Sequence, residues 1–305
     1  MKRLKQFGLG ILLLLIGVQV YVLASYWRDQ RNLRLLLERI ASPSLPPSAQ
    51  ARMIANFLEM KNNDTNRSSF LHPSLQFLSA TPWQVALGGG NCADRSRFLI
   101  VLLGMRGIRA SKWALYAPSG RPVHAVVELE SEQGKMVIDP LFDLWFPRPG
   151  GGYYGIEDLK RNPEILRRRV EYLRATGEEP IGWVVLGYPL DQYVYDNART
   201  INWDKSALMR LAYKALYAVL GERVNQIERP FFVEQPALMV AFSIAGLEAF
   251  LLFIWLALRW RWARQRRAAM TPRVAISSQP HSGAQMSLTP QGTLSDEGVA
   301  SRSLK

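Results

Sequence analysis

The sequence predicts an α+β domain held between two membrane-spanning helices, and three observations predict it. Two long apolar runs, Phe7–Trp27 and Ala237–Leu258, stand toward the two ends of a 305-residue chain. Between them, the stretch Ala93–Met105 repeats its apolar residues at helical spacing. Three alternating, β-branched stretches follow it, separated by turns rich in Gly and Pro, as antiparallel strands are. The composition is compatible with this class. A hydrophobic content of 48% excludes global disorder. A single cysteine excludes an intramolecular disulfide, which suits a reducing compartment or a periplasmic domain large enough to need no staple. The net charge of +13 points to nucleic acid or to an anionic membrane surface, and the placement of the charges decides between them.

The first run, FGLGILLLLIGVQVYVLASYW, is long enough to cross a hydrocarbon core of roughly 30 Å. A cleaved signal peptide is the rival reading, because Lys2, Arg3 and Lys5 precede the run. Yet the run exceeds the roughly 7–15 residues of a signal core and lacks an Ala-x-Ala site, so it reads as a retained anchor. The second run contains Glu248, a carboxylate costly in a membrane. It reads as a functional group or as a protonated or partner-facing side chain, and it is given no catalytic role. Arg259, Arg261, Arg264, Arg266 and Arg267 follow this run. Positive flanks stay inside, so residues 1–6 and 259–305 are expected in the cytoplasm and residues 28–236 on the outer side. That places a two-pass protein in the inner (plasma) membrane of a bacterium, with a periplasmic domain whose core spans about 50–220. Arg28, Arg31 and Arg34 pull the other way, but long translocated domains respond weakly to charge. Much of the basic excess thus flanks the bilayer. With no nucleic-acid-binding motif present, nucleic acid is not an expected partner. The tail from Ala268 to Lys305, rich in Ser, Gln, Thr, Pro and Gly, reads as disordered.

Within the outer domain, NLRLLLERI (32–40) continues the anchor as a helix, and SPSLPPS breaks it. AQARMIANFLEMKNN reads as an amphipathic helix with Ile54, Phe57 and Leu58 on one side. A polar loop and three glycines then lead to Cys92. ADRSRFLIVLLGM is a buried helix that Gly107 stops, so Cys92 sits at its N-terminus. The free amides and macrodipole there favour an anion, and the glycines allow close approach of a ligand. Strands are expected at Lys112–Tyr116, Val123–Glu130 and Lys135–Pro140. If Ser131–Gly134 close the second hairpin symmetrically, Glu130 pairs with Lys135 and Val126 lies opposite Asp139. His124 and Asp139 then become diagonal neighbours on one face. A helix-borne Cys beside a strand-borne His and Asp is the arrangement of a thiol nucleophile, its base and the orienter of that base.

These residues resemble the transglutaminase-like superfamily within the papain-like group. GGGNCADRSRFLIVLLGMRGI resembles its nucleophile block, HAVVEL the strand of its histidine, and VIDPLFDLWF the strand ending in Asp-Pro, all in the family's order. The resemblance covers roughly Leu87–Phe146. It implies a papain-like core in which Cys92 is the nucleophile, His124 the base and acid, and Asp139 the orienting carboxylate. The oxyanion would be held by the Cys92 amide and an upstream group, Trp83 or Gln84. The chain departs from the family pattern at Ala110, Ser111 and Lys112, where an arginine is common, and at Val126, where an aromatic is common.

The expected chemistry is acyl transfer from a protein or peptide amide through a Cys92 thioester, to water or to an amine, in a membrane-anchored bacterial member of the superfamily. No cofactor is implied, and one Cys with three His cannot fill a structural zinc site. His72 and His281 read as solvated, and Asp143 as a rival carboxylate beyond the strand. PRPGGGYYG (147–155) is a lid or a plain connector, and ILRRRVEYLR (165–174) a basic helix face. Asn202–Gly221 reads as a capped amphipathic helix, with Leu208, Leu211, Ala212, Ala215, Leu216 and Val219 as core or membrane-facing packing. Two other classes compete: an inactive papain-like scaffold in an envelope or polysaccharide export or biosynthesis complex, and a membrane-surface binding module.

Overall fold

The computed structural model describes residues 2–59, 79–117, 119–180 and 188–270. His72, His281, the end of the amphipathic helix from Met60 and the tail from residue 271 fall outside them. The architecture is mixed α+β. Helix α1 (Lys2–Ile40) runs unbroken from the apolar run into the domain, where Leu33 and Leu37 join the core. Helix α8 (Pro236–Met270) carries the second run. Both terminal helices are long and apolar enough to cross a membrane, with mean hydropathies of 2.2 and 2.3. They meet where Val22 packs on Ala237 and Ala241, small residues that let helices approach closely. The described residues from Ile254 to Met270 belong to a separate unit, in which Arg259 lies over Trp255 and Arg264 over Trp260.

Helix α2 (Pro47–Glu59) begins inside the proline run expected to break the chain, because proline fits the first helical position, where its missing N–H costs nothing. It buries Ile54, Ala55 and Leu58. Helix α3 (Pro82–Gly88) replaces part of the expected loop. The Thr81 hydroxyl accepts the Gln84 N–H at 3.3 Å, and the Gln84 side-chain oxygen accepts the Thr81 N–H at 2.9 Å. This capping box, with Pro82 next, starts a helix too short to show periodicity. Helix α4 (Cys92–Met105) is buried from Asp94 through Leu103.

Strands β1 (Ala110–Tyr116), β2 (Pro122–Ser131), β3 (Gly134–Asp139) and β4 (Leu144–Trp145) form an antiparallel sheet in that order. Glu130 pairs with Lys135, the register a symmetric hairpin requires. Because side chains alternate along a strand, the sheet serves two cores. Val127, Leu129, Met136 and Ile138 pack with α4, α2 and α1. Trp113, Leu115, Val126 and Val137 pack with α5 (Ile156–Arg161), α6 (Glu164–Thr176) and Tyr188 and Tyr195. The stretch 147–155 is a structured connector: the Tyr154 N–H donates to Phe146 at 2.9 Å, and the Val137 N–H donates to the Tyr154 carbonyl at 3.1 Å. In α6, Leu166, Val170 and Leu173 are buried, and Arg169 donates to the Trp145 carbonyl at 3.0 Å, so that basic face is partly engaged. Helix α7 (Ala207–Leu220) buries none of its side chains, so its apolar residues are not core packing.

Candidate functional site

Cys92 is the first residue of α4 and is partly exposed. The cap is Asn91, whose Oδ1 accepts the N–H groups of Ala93 at 3.0 Å and Asp94 at 3.1 Å. The Cys92 N–H donates to none of the described residues, so it is an open donor beside the sulfur. The glycines have local reasons. Gly89 closes α3 at φ 79°, a region that favours glycine. A Cβ on Gly90 would lie 2.8 Å from the Asp94 Cβ. Buried Arg95 holds this junction from within: its Nε donates to the Gly90 carbonyl at 3.0 Å and its Nη1 to the Leu58 carbonyl at 2.7 Å. One turn after Cys92, the Ser96 hydroxyl donates to the Ala125 carbonyl at 3.2 Å, which pins α4 against β2 next to His124.

His124 Nε2 and Asp139 Oδ2 lie 2.6 Å apart, with both side chains wholly buried. Both belong to the sheet face of Val126 and Val137, as strand alternation requires. The other oxygen, Asp139 Oδ1, accepts the N–H groups of Leu141 at 3.0 Å and Phe142 at 3.4 Å. The turn after the strand therefore fixes the carboxylate, and the carboxylate fixes the imidazole. His124 Nδ1 is buried, and among the described residues no donor or acceptor meets it in hydrogen-bonding geometry. Burial alone would depress the His124 pKa, but the Asp139 carboxylate and the neighbouring Cys92 sulfur raise it to about 10. Tyr193 stacks on the imidazole with ring centroids 4.0 Å apart and planes within 6°. Burial, Cys92 and Asp139 push the Tyr193 hydroxyl up to about 12. Phe142 lies against both rings.

The structure thus brings Cys92, His124 and Asp139 together. Trp83 lies half-buried on α3 against the core, and the Gln84 oxygen is engaged in the capping box. His124 is paired with Asp139, whereas Asp143, at φ 43°, accepts from the Asn56 amide at 3.5 Å. Burial, with Glu59 adding to it, pushes the Asp143 carboxyl up to about 7. Two contributors went unseen in the sequence. Arg95 reads there as one charge in a helix, and nothing local says it points inward. Tyr193 lies in YPLDQYVY, which has no helical or strand period, so only its aromatic density set it apart. Among the described residues no group of three or more His, Cys, Asp or Glu is placed to hold a metal. Comparison with known proteins found no matching family model, curated protein or solved structure.

Proposed function

We propose that this chain is a membrane-anchored cysteine enzyme with a transglutaminase-like, papain-like core, acting on an amide through a Cys92 thioester. The observation that carries the reading is the buried His124–Asp139 pair at 2.6 Å beside a cysteine that opens a capped helix. The Cys92 sulfur attacks the amide carbonyl carbon, and its proton resides on His124, whose affinity for it is raised to about 10. The oxyanion accepts the open Cys92 N–H. The C–N bond then breaks, His124 passes its proton to the leaving amine, and an acyl thioester remains. Water or a second amine attacks this thioester with His124 as base. The product is an acid or a new amide, and the thiol is restored. The resemblance of the three sequence blocks supports the same assignment. The basic flanks of the two apolar helices support a two-pass protein of the inner membrane, with cytoplasmic termini and the domain outside.

One observation favours the scaffold reading: the His124 side chain is fully buried beneath Tyr193. The rate of Cys92 alkylation by iodoacetamide at pH 7 separates the two. As an enzyme, the full-length protein reacts faster than free cysteine, and His124→Ala slows it by roughly 100-fold, the scale of a lost general base. Reaction no faster than free cysteine, unchanged in His124→Ala, overturns the enzyme and leaves the scaffold.

A further inference from the structure

Helix α7 is held by its caps more than by packing. Ser206 accepts the Met209 N–H at 3.2 Å at one end, and Gly221, at φ 58°, closes the other. One flank rests on the domain, where Tyr213 meets Trp203 with centroids 5.8 Å apart. Leu208, Leu211, Ala215 and Val219 recur at helical spacing along another face. Leu208 is 75% exposed, Leu211 65% and Val219 81%. Few soluble surfaces leave such a stripe uncovered. The charged residues within α7 are Arg210 and Lys214, both basic.

The position of the helix root identifies what covers the stripe. The excursion that carries α7 leaves and returns at one place: the Thr200 N–H donates to the Asn225 carbonyl at 3.3 Å, and its hydroxyl to the Ile227 carbonyl at 2.6 Å. Just beyond, Arg229 reaches Glu234 at 3.3 Å, two residues before α8 begins. Gln235 in turn accepts from Gln30 of α1 at 3.3 Å. The root of α7 therefore lies at the end of the domain where both apolar helices enter it. Exposed Trp27 lies one turn before Gln30 on α1, as tryptophan does at a membrane interface.

We propose that α7 lies in the interface of the bilayer that α1 and α8 cross. Its leucine–valine stripe sits among the acyl chains, and Arg210 and Lys214 reach anionic headgroups. This rests on the reading of α1 and α8 as membrane spans. It adds a third attachment, which holds the Cys92 domain against the lipid surface instead of leaving it on two tethers.

The test uses the full-length chain with Cys92→Ser, which removes the native thiol, reconstituted in vesicles of phosphatidylcholine and phosphatidylglycerol with brominated acyl chains. Single cysteines at Leu211→Cys, Val219→Cys, Arg210→Cys and, on α8, Phe242→Cys carry a bimane label. Bromine should quench the labels at 211, 219 and 242 at least two-fold relative to unbrominated lipid and leave the label at 210 nearly unquenched. If 242 is quenched and 211 and 219 are not, α7 is off the membrane and the proposal fails while the spans stand. Cross-linking between copies through 211 without quenching also overturns it, in favour of a second chain as occupant. If 242 is unquenched as well, the spanning reading fails and takes the proposal with it.

Discussion

Among the described residues, two buried groups of ion-paired side chains are wired differently. In one, Asp139 faces a single basic side chain, His124, through one oxygen, its other oxygen accepts two backbone N–H groups, and His124 keeps its second nitrogen turned away from the carboxylate. In the other, Glu234 gathers three cations: Lys112 at 2.5 Å, Arg229 at 3.3 Å and Arg97 at 3.7 Å. Arg97 is shared further with Asp94 of the first turn of α4 at 2.8 Å. The perturbations also run in opposite directions. His124, a base beside an anion, is raised. Lys112 is pushed down to about 7, by burial first, with Arg97 and Arg229 adding to it against the pull of Glu234. Burial works against ionised Glu234 too, but Lys112, Arg229 and Arg97 keep its carboxyl below the ordinary range. The difference lies in what each group joins. The cluster fastens β1 and α4 to the segment that leads into α8. The pair holds the imidazole of one strand to the carboxylate of the next, near Cys92.

Breaking the cluster should give the largest effect on stability. Glu234→Gln leaves buried Lys112 without its carboxylate, takes one partner from Arg97 and that of half-buried Arg229, and should cost about 3–5 kcal/mol in unfolding by denaturant. Cys92 alkylation in the folded fraction should stay within about two-fold of wild type, since the base and its orienter are untouched. A parallel collapse of reactivity would show that the two groups act as one.

The pair is sharpened by pH. A raised histidine pKa contributes stability that is full below about 6.5 and is lost as pH climbs toward the folded value. Depressed Glu234 does the reverse: its contribution is full above about 4.3 and is lost on acidification. Asp139→Asn should therefore narrow its stability deficit against wild type as pH rises from neutral toward 10. The alkaline limb of Cys92 reactivity should move toward neutral in the same variant, because the carboxylate that raises His124 is gone. A deficit that is flat with pH, measured by melting in detergent, would break the assignment.

Smaller effects test the supports. Gly90→Ala drives a Cβ against Asp94 and should cost about 1–3 kcal/mol, the range of an overpacked site. It should also slow alkylation by displacing the Cys92 junction. Tyr193→Ala removes the ring stacked on His124 and should cost about 1 kcal/mol, with the alkylation rate rising as the site opens. A slower rate would instead make Tyr193 a positioning residue.

Much of this site was legible in the chain. The apolar run after Cys92 gave the helix, the turns gave the hairpins, and the period of two placed His124 and Asp139 on one face. The capping box at Thr81 was legible as a motif but hid in a segment with no period. Arg95 and Tyr193 were not legible, because burial of a charge and stacking of rings depend on what long-range packing brings near. The outcome for α7 was also undecided: its stripe suits a core as well as a membrane, and only the folded neighbours show that none of the described residues covers it.

The sequence by itself determined the two apolar helices, the capped start of α4, the strand register and the order Cys, His, Asp, because each follows from local spacing and turn chemistry. The tertiary structure alone decided which arginine goes inside and which charges share Glu234. Those choices turn on desolvation and on distances between residues far apart in the chain, and no local pattern carries them.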